Sequence, residues 1–196
     1  RIIHDRIALH QLDKMAQIRE RNITVGIVDA ASAIATAIII RAVLLWVDGL
    51  DQYTFIAIAS GFVVSQAILV IVTRLRERTY AKNNQADSYQ EALTNGQVAL
   101  ALRYSGQVIS TALAVTAASY FMVYSPETIV TNLVGWLVIG VVMTLLVSLL
   151  AYIAKRIILM GINLVEEVDQ QHNIGVASIE MAISIAIALI LTGLMA

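Results

Sequence analysis

Five stretches of the chain, about residues 23–47, 54–73, 98–123, 128–154 and 173–196, stay apolar for twenty residues or more. At 1.5 Å of rise per residue, a helix of that length crosses a hydrocarbon core about 30 Å thick. No water is available there to satisfy backbone N–H and C=O groups, so lone spanning segments of this kind are helical. The expected fold is all-α, a polytopic transmembrane bundle. Composition agrees: 59% of the residues are hydrophobic and 14% charged, against about 45–50% and 25% in ordinary soluble domains. The formal net charge of -1 excludes a basic nucleic-acid binder. The absence of cysteine removes disulfides, thiolate nucleophiles and Cys-based metal sites.

Three of the five spans open alike. Asn22, Val25 and Gly26, then Asn95, Val98 and Ala99, then Asn173, Val176 and Ala177 share an Asn-x-x-Val-(Gly/Ala) pattern, each after a polar segment. The asparagines are 73 and 78 positions apart, and each interval holds a span, a short turn, a returning span and a linker. The chain therefore reads as tandem hairpins. Its units are 1–73 (linker plus first hairpin), 74–154 (linker plus second hairpin) and 155–196 (linker plus the first helix of a third). Since the sequence opens on Arg1 in a linker, a preceding span is expected upstream.

The linkers carry 11 of the 13 basic residues and the turns at 48–53 and 125–127 carry none. The positive-inside rule then makes the linkers cytoplasmic. Apolar residues at helical spacing, Ile7, Leu12, Met15 and Ile18 in the first linker and Ile162, Val165 and Val168 in the third, predict amphipathic helices lying on the membrane surface.

Polar linker, Asn, Val-Ala, striped apolar helix, short turn and returning helix together resemble the bacterial inner-membrane proteins of domain-of-unknown-function family 350, the YjfL type. The likeness is best at Asn95–Leu102 and Asn173–Ile179, and Gly26 stands where the family usually has Ala. The resemblance implies a multi-pass protein of the bacterial inner (cytoplasmic) membrane with repeat architecture, and it implies no catalytic activity.

Asn22, Asn95 and Asn173 stand where a helix begins, and an Asn side chain there accepts a bond from a first-turn N–H, so all three are expected to be helix caps. Asp29, Arg103 and Glu180 fall seven or eight positions after their asparagines, about 10 to 12 Å inside each helix. An ionisable residue at a helix centre costs about 2.5 to 3.5 kcal/mol, so these charges should face protein or water. They are expected to form an intramembrane cluster with Arg103 as the ionic partner of Asp29, Glu180 or both. Gln107, Ser110 and Ser184 would supply a polar stripe beside it. Arg41, near the outer end of its span, is expected to snorkel. Trp46, Trp136, Tyr104, Tyr120 and Tyr124 suit interfacial anchoring.

His4, His10 and His172 sit in linkers, and Asp169 with His172 is an incomplete ligand set, so no metal or cofactor is expected. Neither a Gly-x-Ser-x-Gly nor a His-Glu-x-x-His sequence occurs, and no enzymatic activity is expected. Two functional classes stay open. One is a membrane scaffold or assembly component, in contact with the lipid bilayer, self-associating or recruiting a peripheral or cytoplasmic protein through its linkers. The other is a channel or transporter for ions, protons or a small solute along the stripe around Asp29, Arg103 and Glu180.

Overall fold

The computed structural model describes residues 14–47, 49, 52–85 and 88–195. The amphipathic reading of residues 1–13, His4 and His10, and most of the first acidic turn (Asp48, Leu50 and Asp51) lie outside the described residues. Among the described residues seven α-helices follow one another: α1 (Lys14–Arg19), α2 (Ile23–Trp46), α3 (Gln52–Asn83), α4 (Tyr89–Thr94), α5 (Val98–Ala117), α6 (Ile129–Ile158) and α7 (Ile174–Met195). Short 3-10 turns at Ala118–Phe121 and Pro126–Thr128 join α5 to α6, and a π-helical turn at Val165–Gln170 precedes α7. No strand occurs among the described residues. Among the described residues five helices are long and apolar enough to cross a membrane.

These helices are not arranged as independent hairpins. α5 is the hub: 67% of its span is buried, against 28% to 39% for the other four. It packs most extensively on α7 and then on α2, and less on α6, its neighbour across the turn. The three helices that open with the shared pattern are therefore central, while α3 and α6 close the outside. Valines and leucines at 130, 134, 138, 142, 145 and 149 leave one side of α6 exposed, as suits contact with lipid.

α2 turns one seam inward: Val25, Val28, Ser32, Ala35, Ile39, Ala42 and Trp46 are all buried. Their alternating three- and four-residue steps are the spacing of a coiled-coil contact line. At the end of the bundle near the 118–128 turns, Trp46 packs edge-on against Trp136 and Tyr124 at 5.1 and 5.3 Å between ring centroids. The indole N–H of Trp46 donates to the Met122 carbonyl and that of Trp136 to the Val115 carbonyl, each at 3.0 Å. Both tryptophans are buried. Interfacial anchoring is thus the wrong role for them, because a backbone carbonyl inside the bundle satisfies each N–H and removes the need for headgroup water. Tyr104 is also buried, whereas Tyr120 is exposed.

Two linkers differ from the sequence reading. α3 does not stop near Thr73 but continues to Asn83, because residues 74–83 contain no Gly or Pro and place Tyr80 and Asn84 in the protein interior. In the third linker Val168 is fully buried. The face of Ile162, Val165 and Val168 is thus divided, with Ile162 exposed and Val168 packed into protein instead of lying on lipid.

Candidate intramembrane charge cluster

Three local features set the helix starts at the linker end. Asn22 caps α2: its Oδ1 accepts from the Val25 N–H at 3.3 Å, and its Nδ2 donates to the Thr94 carbonyl and to Gln17 Oε1, each at 2.8 Å. Asn173 does the same for α7, accepting from the Val176 N–H at 3.1 Å and donating to Glu167 Oε2 at 2.8 Å. Asn95 is not a helix-start cap. Seven residues earlier, Ser88 caps the start of the extra helix α4, its side chain accepting from the Glu91 N–H, and Asn95 ends it. The chain leaves α4 through Gly96 at φ +83. The Gly96 N–H donates to the Leu93 carbonyl and the Gln97 N–H to the Ala92 carbonyl, the paired bonds of a Schellman ending. Gln97 therefore takes the position before α5, without a side-chain cap.

One turn into α5, Arg103 reaches three acceptors. Its Nε donates to Glu180 Oε2 at 2.7 Å, one terminal nitrogen donates to Asp169 Oδ1, and the other donates to the Leu164 carbonyl at 2.8 Å. The second oxygen of Glu180 accepts from Lys155 Nζ at 3.0 Å. Helices α5, α6 and α7 and the 159–172 linker thus meet at two cations and two carboxylates. The side chains are 3% to 13% exposed, so each charge relies on its partners and little on solvent. The approach depends on Gly106, one turn beyond Arg103. A Cβ there would stand 2.7 Å from the Met181 Cα, so only glycine lets α5 and α7 come this close.

The linker carboxylate is tuned by its surroundings. Burial pushes the Asp169 carboxyl above its ordinary range, against the downward pull of the Arg103 guanidinium and of a hydrogen bond from Asn84 at the end of α3. Beside it, Tyr80, Tyr89 and Tyr104 form a ring series, with centroids 5.1 Å apart for the first pair and 6.4 Å for the second. The Tyr89 hydroxyl donates to the Leu100 carbonyl at 3.2 Å. Burial, then the neighbouring Tyr104, raises its pKa well above that of a free phenol.

The expected cluster is therefore assembled in part. Arg103 and Glu180 meet, but the second carboxylate on Arg103 is Asp169 and not Asp29. Asp29 sits on the partly exposed flank of α2, one position past the buried Val28. The polar stripe faces its own helices: Ser110 Oγ donates to the Gln107 carbonyl at 3.0 Å, Thr111 Oγ1 to the same carbonyl at 2.7 Å, and Ser184 Oγ to the Glu180 carbonyl at 2.9 Å. Arg41 is exposed at the opposite end of α2, beside a cavity of about 400 Å³ that it lines with Trp46, Tyr120 and Tyr124. Among the described residues no group of three or more His, Cys, Asp or Glu side chains could hold a metal. Sequence reasoning missed Lys155 as a cluster member. The available signal was its place beside Arg156 in the last turn of α6.

A family model described as Domain of Unknown Function (DUF350) matches residues 45–195. The chain belongs to this family. The match includes all four members of the charge cluster and the four spans from α3 onward, so the cluster lies within the DUF350 region, while Asp29 and nearly all of α2 lie before it. No curated protein and no solved structure matches the chain. It is an integral membrane protein with several apolar helices in contact with lipid.

Proposed function

We propose that this DUF350 protein is a scaffold or assembly component of the bacterial inner membrane, without catalytic activity of its own. In this reading tandem hairpins pack through their first helices, and the linkers face the cytoplasm, where they recruit a peripheral protein or a second copy. The observation that carries it is the closure of the charge cluster: Arg103 uses donors on all three guanidinium nitrogens, and both oxygens of Glu180 are engaged. A charged group that handles a moving ion has to exchange partners. This one is held on three sides.

The alternative, a path for ions, protons or a small solute past Asp29, Arg103 and Glu180, finds less support. The hydroxyls of Ser110, Thr111 and Ser184 donate to their own helix backbones. No span is broken by proline, unlike the interrupted helices that often form transport sites. A flux assay in liposomes, with wild type and Glu180→Gln, decides between them. The scaffold reading expects no substrate-dependent flux with either. Reproducible flux of a cation, proton or solute that Glu180→Gln abolishes would overturn it.

A further inference from the structure

At the linker end of α6 a cavity of about 540 Å³ opens beside the charge cluster, lined by Tyr152, Lys155, Arg156, Gly161, Asn163 and Leu164. Two cations face it in unequal states. Lys155 donates once, to Glu180, which leaves two of the three ammonium N–H groups available. Arg156 has no carboxylate within 4.0 Å among the described residues. It lies over the Tyr152 ring at 5.7 Å and donates from Nε to the Tyr152 hydroxyl at 3.2 Å, leaving the terminal nitrogens of its fork unspent.

The nearest acids of the linker are engaged elsewhere: Glu166 accepts from Gln171 and Glu167 from Asn173. On the bilayer-core side of these cations, three and seven residues before Arg156 on α6, Ile153 is 45% and Leu149 56% exposed, apolar groups in the place where a lipid chain would run. Basic residues in the last turn of a spanning helix stand at headgroup depth, where basic pockets between helices bind anionic lipid headgroups.

We propose that this cavity binds the phosphodiester of an anionic phospholipid from the leaflet on the linker side, with Arg156 and Lys155 on the phosphate and the acyl chains along Ile153 and Leu149. The arrangement stands independently of the scaffold reading. It would seat a lipid against the lysine that helps to hold Glu180, so that lipid occupancy bears directly on the α6–α7 contact.

The test is equilibrium binding of fluorescently labelled phosphatidylglycerol to the purified chain in neutral detergent, with phosphatidylcholine of the same acyl chains and inorganic phosphate as competitors. Phosphatidylglycerol is expected to compete, and the other two are not. Arg156→Gln should weaken binding about fivefold, the effect of one basic residue near a membrane surface. Arg156→Lys should retain most of it, and Arg78→Gln, an exposed arginine on α3, should leave it within about twofold. Because Arg156 is exposed, its substitution leaves the bundle folded. Equal competition by phosphatidylcholine, or equal losses from Arg78→Gln and Arg156→Gln, would overturn the site. Competition by inorganic phosphate alone would assign the cavity to a soluble anion and overturn the lipid reading.

Discussion

The helices α2 and α7 flank α5, open with the same pattern, and carry a carboxylate at the same distance from their cap: Asp29 seven residues after Asn22, Glu180 seven after Asn173. They are nevertheless used differently. On α2 the buried seam runs through Val25, Val28, Ser32 and Ala35, and Asp29 falls beside it; on α7 it runs through Ala177, Glu180, Ser184 and Ala188, and the carboxylate is part of it. Counted from the cap, the first three members of the two seams differ by one residue, a rotation of about 100° at 3.6 residues per turn. What an intramembrane charge does is therefore decided by which face its neighbours cover, and depth alone does not predict it.

The largest test of this contrast removes the shared cation. Arg103→Met strands Asp169 in a buried setting and leaves Glu180 with Lys155 alone. Breaking a buried pair in this way costs about 3 to 5 kcal/mol. The double change Arg103→Met with Asp169→Asn keeps a neutral Lys155–Glu180 pair and is expected to recover part of that loss. Thermal unfolding in detergent checks it: single effects that add within about 0.3 to 0.5 kcal/mol would mean that the two side chains are uncoupled. Asp29→Asn, at a half-buried position beside the seam, is expected to cost less than Arg103→Met in the same assay.

A second test works on backbone approach. Gly106→Ala drives a Cβ to 2.7 Å from the Met181 Cα, whereas at Gly26 on α2 a Cβ meets nothing within 4 Å. The expected loss at Gly106 is about 1 to 3 kcal/mol from overpacking. At Gly26 the same change should gain up to about 1 kcal/mol through helix propensity. If the two alanines shift the unfolding temperature alike, α5 and α7 do not touch at this glycine.

How much of this was legible in the sequence follows from the physics of each signal. The five spans were, since apolar length is sufficient to specify a membrane helix, and so was the meeting of Arg103 with Glu180, since opposite charges at matched depth lower each other's cost. The Asn22 and Asn173 caps could be read because the bond is local. Asn95 could not, because the same residue type also ends helices, and the Gly96 beside it is the stronger signal. Asp169 stayed hidden because its role needs the 159–172 linker to fold back under α5. Nothing in the linker's sequence states that Val168 packs into protein when its spacing equally suits a lipid surface. The seam rotation that separates Asp29 from Glu180 is a property of packing among three helices and leaves no trace at either residue.

The smallest effect concerns Asp169, the member of the cluster that the linker supplies. Its carboxyl faces Arg103, Asn84, Glu180 and His172, and burial outweighs the guanidinium, so its pKa in the folded protein is raised above 3.8. A carboxyl with a raised folded pKa is held more firmly when protonated. Its contribution to stability is complete below the unfolded value of 3.8 and is lost as pH rises through the folded value. Wild type should therefore gain stability relative to Asp169→Asn as pH falls from 8 toward 4, because the asparagine variant has no proton to take up. Taking the difference between the two proteins cancels the titration of distant exposed groups common to both. The expected change is a rise in the difference of unfolding temperatures as the buffer is acidified. A difference that falls instead would mean that Arg103 holds the Asp169 carboxylate more strongly than burial opposes it, and would make the linker's carboxylate more firmly ionised than a surface one.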